Sequence, residues 1–138
     1  MKTATARAKT RLDGFSAGLL MSIREFDAVD EFEDDLRYEL INGVLVVSPI
    51  PLESQSSPND ELGFLLRTYK HHHPQGGCID DTLPERYILT ENRRLADRVI
   101  WVGLGRLPDP DVDVPAVAIE FVSRSKRDRE RDYKEKRR

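Results

Sequence analysis

The stretch ADRVIWVGLGRLPDPDVDVPAVAIEFV, residues 96–122, decides the fold. Its first part, ADRVIWVG, is rich in β-branched and aromatic side chains and reads as a strand over 97–103. The prolines and aspartates of LPDPDVD then have the composition of a loop. The last part, VPAVAIEFV (114–122), is apolar at odd and even positions alike, as a central strand covered on both faces must be. Glu120 alone interrupts it. A carboxylate in such a strand costs several kcal/mol unless it is paired, protonated or bound to a cation. Asp97 heads the preceding strand, and Glu39 lies in another strand upstream, so three acids stand against strand backgrounds. Brought together they would repel one another, and a hard divalent cation with oxygen ligands would relieve them. Kept apart, each could pair with an arginine such as Arg94 or Arg98. Spacing leaves both arrangements open.

Upstream, YELINGVLVV (38–47) sets two apolar runs about Asn42-Gly43, the dipeptide that tolerates the two positive φ angles of a type I′ hairpin turn. Residues 48–58, with three prolines and four serines, read as a loop. Leu62, Leu65, Leu66 and Tyr69 recur at helical spacing, with Ser57 as cap and Pro58 as first helical residue, which predicts a helix over 58–72. It should stop at HHHPQGG. Adjacent helical residues diverge, so His71, His72 and His73 are read as a basic helix end rather than as ligands of one ion. Residues 83–89 form a further expected strand. Nearer the start, Ser22 and Glu25 form a capping box for a short helix whose apolar face is Ile23, Phe26 and Val29. Residues 1–20, with Asp13 as the one acid, weakly resemble a transit peptide but are expected to be a disordered extension, with Met21 as an alternative start.

The 138 residues suit one domain, here taken as 21–138, that folds without disulfides. No apolar run approaches the roughly 20 residues needed to span a bilayer, so no membrane partner is expected. The lone Cys78 beside Gly76-Gly77 excludes an internal disulfide and points to a reducing cytoplasm. Net charge is −3, but residues 124–138 (RSKRDRERDYKEKRR) carry nine Lys/Arg against four Asp/Glu, which leaves +5 there and −8 elsewhere. Such a tract either neutralises phosphates or is a solvated helix face.

Taken together, MSIREF (21–26), RYELINGVLVV (37–47), the helix after a Ser/Pro loop, ADRVIWVG, AIEFVS (118–123) and a basic helix containing Asp132 and Lys136 follow the motif order of the Uma2 family. That group lies within the PD-(D/E)xK restriction-endonuclease-like nucleases, and the resemblance runs from about Met21 to Arg138. It implies an α/β (α+β) fold, a mixed β-sheet core flanked by helices. It also implies that Asp97 stands at the PD aspartate, with Ala96 in place of the proline, and that Glu120 stands at the (D/E) position. Both would be ligands of Mg2+ or Mn2+. Val122 occupies the place of the usual lysine, whose role passes to Lys136 in the following helix, with Lys134 as the fallback. Glu39 matches the acidic residue of the family hairpin, and Arg124, Lys126 and Arg127 would grip DNA phosphates. The implied activity is endonucleolytic hydrolysis of DNA, with homodimer formation left open. The family continues past Arg138 with a further strand, so the chain reads as C-terminally truncated, its last core strand missing and its segment from about 126 mobile. A catalytically inactive remnant that binds DNA or protein is the alternative, as is an interaction module with separate salt bridges.

Overall fold

The computed structural model describes residues 11–50 and 53–122, which fall into two compact units, one up to Ile50 and one from Pro51. Both combine helix with paired strands, an α+β architecture of the kind a restriction-endonuclease-like fold requires.

The first unit contains β1 (Arg11–Leu12), α1 (Ile23–Asp27), β2 (Glu31–Phe32), β3 (Leu36–Ile41) and β4 (Val44–Pro49). The expected hairpin is present: β3 and β4 pair antiparallel from Leu36↔Pro49 to Ile41↔Val44. Asn42 and Gly43 turn the chain at φ 51° and 78°. Tyr38, Glu39, Leu40 and Ile41 are consecutively buried, so β3 is covered on both faces. The capping box also forms, Glu25 N–H donating to Ser22 Oγ at 3.0 Å and Ser22 N–H to Glu25 Oε1 at 3.3 Å. The helix it starts is only five residues long, and of its expected apolar face Phe26 alone is buried.

Order in this unit starts earlier than the Ser22 cap suggests. Residues 11–20, expected within a disordered extension, include β1, which pairs parallel with β2. Leu12 is 1% exposed, and the Tyr38 hydroxyl meets the carbonyl oxygens of Leu12 and Glu33 at 3.3 and 3.1 Å. Burial of one leucine and a shared hydrogen bond anchor a segment whose composition carries no periodic signal.

The second unit contains α2 (Glu53–His72), β5 (Ile79–Leu89), β6 (Arg93–Val102) and β7 (Val117–Ile119). β6 pairs antiparallel with β5 along its length and with β7 at Arg98↔Ile119, Val99↔Ala118 and Ile100↔Val117. Ala96 to Trp101 are all buried, so β6 is the strand covered on both faces. That role was expected of 114–122 instead. β7 is three residues long, and Val114 and Val117 are 54% and 42% exposed. An apolar run on both faces shows only that a strand could be covered; burial requires packing partners on each side.

α2 also departs from expectation. It begins five residues before Pro58, which lies inside it rather than at its first position. Ser57-Pro58 is a local preference, and tertiary context overrides such preferences. Nor do the leucines form its deeply buried face: Leu65 and Tyr69 are 54% and 37% exposed, while Asn59 and Gly63 are buried. The helix end is as expected, with Lys70, His71 and His72 in the last turn, where cations favour the helix dipole. The His73 ring stacks on Tyr69 at 4.4 Å. Gly76 is obligatory there, because a Cβ would overlap the carbonyl oxygens of Tyr69 and Lys70. Cys78 is exposed in the turn that follows. Among the described residues no helix is long and apolar enough to cross a membrane.

Candidate functional site

β6 places Asp97 and Arg98 side by side in a strand whose neighbours are all buried, Asp97 at 7% exposure and Arg98 at 4%. Alternation sends their side chains to opposite faces of the strand. Two charges taken out of water on one strand must each be compensated, and the two faces do so differently.

On the Arg98 face lies α2. Arg98 Nε donates to Asn59 Oδ1 at 2.6 Å, and Nη1 donates to Thr82 Oγ1 at 3.2 Å. Thr82 in turn donates to the Val99 carbonyl at 2.9 Å. Burial, with Arg67 nearby, lowers the Arg98 pKa from its ordinary value, opposed by Asp60. Gly63 makes room for the guanidinium: a Cβ there would stand 2.6 Å from Nη2. Arg94 shares parity with Arg98 along β6, so neither projects on the Asp97 face.

On the opposite face Asp97 Oδ2 accepts the backbone N–H of Phe121 at 2.7 Å. Glu120 follows Ile119, the last residue of β7, whose ladder partner is Arg98, so it lies one residue beyond the end of that strand in the same unit as Asp97. Glu39 belongs to the first unit, where it is 3% exposed on β3 opposite Val46. Among the described residues no group of three or more His, Cys, Asp and Glu side chains is arranged to hold a metal ion. Lys136, its fallback Lys134, and Arg124, Lys126 and Arg127 lie outside the described residues.

The donor set nevertheless suits a hard cation. Mg2+ characteristically takes one or two carboxylates and fills its octahedron with water and substrate phosphate, rather than being caged by protein. A carboxylate has about four acceptor positions, so the Phe121 N–H orients Asp97 without exhausting it. Asp97 and Glu120 are the pair that could serve.

The chain after β6 is fixed by groups the sequence did not single out. Buried Asp80 accepts the N–H groups of Leu104 and Gly105 at 2.7 and 2.9 Å. Asp113 receives both Arg106 Nη atoms at 2.7 and 2.8 Å, together with the Asp109 N–H at 2.8 Å. Those contacts, the Arg106 hydrogen bond first, hold the Asp113 carboxyl at about 2. The Asp113 carbonyl accepts the Trp101 indole N–H at 2.8 Å, which anchors the loop to the core just before β7. Only the Pro/Asp composition of 107–113 hinted at such an ordered turn.

A family model described as "Uma2: Putative restriction endonuclease" matches residues 23–138, well over half of the chain. No curated protein and no solved structure matches it.

Proposed function

The chain belongs to the Uma2 family, and from that premise we propose that it is a metal-dependent endonuclease hydrolysing DNA phosphodiester bonds. The family match is the observation that carries the reading. The burial of the Asp97 carboxylate on β6, with Oδ2 accepting the Phe121 N–H beside Glu120, supports it. In this reading Asp97 and Glu120 would hold Mg2+ or Mn2+. When bound, the ion supplies Lewis acidity, polarising the phosphate and making water a better nucleophile at neutral pH. Lys136 stabilises the attacking water or the developing negative charge. Arg124, Lys126 and Arg127 hold neighbouring phosphates and position the strand without reading its sequence.

Cleavage of plasmid and linear DNA in Mg2+ tests the proposal. Asp97→Ala and Glu120→Ala should each abolish cleavage, because each deletes a direct ligand, while Lys136→Ala should slow it and leave metal binding largely intact. Undiminished cleavage by Asp97→Ala would defeat the metal assignment. The second reading, a non-catalytic module that binds DNA or protein, is favoured by Val122 at the usual lysine position. It predicts DNA binding without turnover in the unsubstituted chain.

A further inference from the structure

On the side of β6 that meets α2, a side chain bonds to the backbone of Asp97. Along β5 and β6 the ladder registers Pro84 with Arg98 and Arg86 with Ala96, but it does not register Glu85 with Asp97. Pro84 has no backbone N–H, and Glu85 takes a φ of 47°, in the left-handed region that non-glycine residues seldom adopt. The regular strand pairing is therefore interrupted opposite the residue that bears the candidate ligand.

A side chain occupies the interruption. Asn59 Nδ2 donates to the Asp97 carbonyl oxygen at 2.7 Å, where a strand neighbour's N–H would ordinarily reach. The other end of the same carboxamide, Oδ1, accepts Arg98 Nε at 2.6 Å. Arg98 is held in turn by Thr82. Asn59 is 8% exposed, and further along α2 Arg67 donates to the Thr82 carbonyl at 2.6 Å, which ties the helix to β5. One carboxamide thus joins the backbone of Asp97 to the side chain of Arg98.

We infer that Asn59 is a positioning residue for the Asp97 carboxylate, fixing the β6 backbone at the metal ligand where the β5–β6 ladder is interrupted. The inference rests on the proposed metal site. Outer-shell partners of metal ligands typically carry about 10–100-fold of metal affinity. Asn59→Asp is the informative variant: it keeps an acceptor for Arg98 but removes the donor to the Asp97 carbonyl. Its extra negative charge would by itself tighten cation binding, so the expected weakening is opposite in sign to the trivial effect.

The experiment is titration with Mn2+ alone, followed by electron paramagnetic resonance, on the whole chain and its variants. Asp97→Ala should remove binding. Asn59→Asp should weaken it about tenfold or more. Unaltered affinity in Asn59→Asp, with Asp97→Ala still abolishing binding, would overturn the positioning role and leave the metal site standing. If the unsubstituted chain binds no Mn2+, or Asp97→Ala binds as well as it does, the metal site itself fails and the inference with it. A measurement that does not alter Asn59 guards against misfolding of the variant. In the unsubstituted chain the Asn59 carboxamide protons should exchange slowly and shift when Mg2+ is added, and Asp97→Ala should abolish the shift. A fast-exchanging carboxamide that ignores Mg2+ would count against the role.

Discussion

At Gly63 two physical effects oppose each other. Alanine is preferred over glycine in a helix interior by about 1 kcal/mol. Against this, its Cβ would stand 2.6–3.0 Å from three guanidinium atoms of Arg98, a group pinned by Asn59 and Thr82 and so unable to swing aside cheaply. Overpacking of this kind costs about 1–3 kcal/mol, and the clash should prevail. Gly63→Ala is expected to lower stability by about 1 kcal/mol in urea unfolding; an unchanged or higher midpoint would mean that the guanidinium yields freely. Asp113 gives a second prediction at this scale. Its carboxyl lies at about 2, below the usual 3.8, so its ion pair with Arg106 contributes stability that is fully present above about pH 4 and is lost as pH falls through 2. The carboxyl carbon of Asp113 should titrate near 2 by nuclear magnetic resonance. Arg106→Gln should bring that midpoint back toward 3.8. A midpoint already at the ordinary value in the unsubstituted chain would contradict the ion pair.

Among the elements, the β3–β4 hairpin is the one most fully specified locally. Gly43 has a φ of 78°, and a residue with a Cβ pays about 1–2 kcal/mol in that region. Gly43→Ala should therefore destabilise the protein by about that amount in thermal unfolding, and a loss near zero would mean that the turn relaxes to another type. This hairpin was legible because its signal is a dipeptide flanked by apolar runs, and the Ser22 cap was legible for the same reason. β5 and β6 were legible in kind and fell short only in length. α2 was misread on its inward face because periodicity counts leucines, whereas its contact with the sheet runs through Asn59, Gly63, Arg67 and Lys70 and is made by hydrogen bonds. Of the proposed site residues, Asp97 and Glu120 stood out because a carboxylate is conspicuous in an apolar run. Asn59 did not, since its role depends on an interruption in β5 that no local pattern announces.

Over the whole chain, the charge of −3 is divided so unevenly that the proposed DNA binding should depend on a short segment. If Arg124, Lys126 and Arg127 each neutralise a phosphate, replacing all three with Gln should reduce the slope of log affinity against log salt by roughly 3, at about 0.9 per contact. Fluorescence polarisation on labelled duplex DNA between 50 and 200 mM salt, roughly the range over which such contacts are resolved, would measure it. An unchanged slope would place the phosphate contacts elsewhere. The burial of Trp101 has a separate, optical consequence. It is the chain's single tryptophan, 2% exposed and bonded through its indole N–H, so native emission should be blue-shifted and should move to the red on unfolding. No tryptophan lies before Pro51, so this fluorophore reports on the second compact unit alone, whereas far-ultraviolet circular dichroism sums over both. Coincident melting curves from the two signals would identify a single cooperative transition, and separated curves would resolve the stabilities of the two units without any label being introduced.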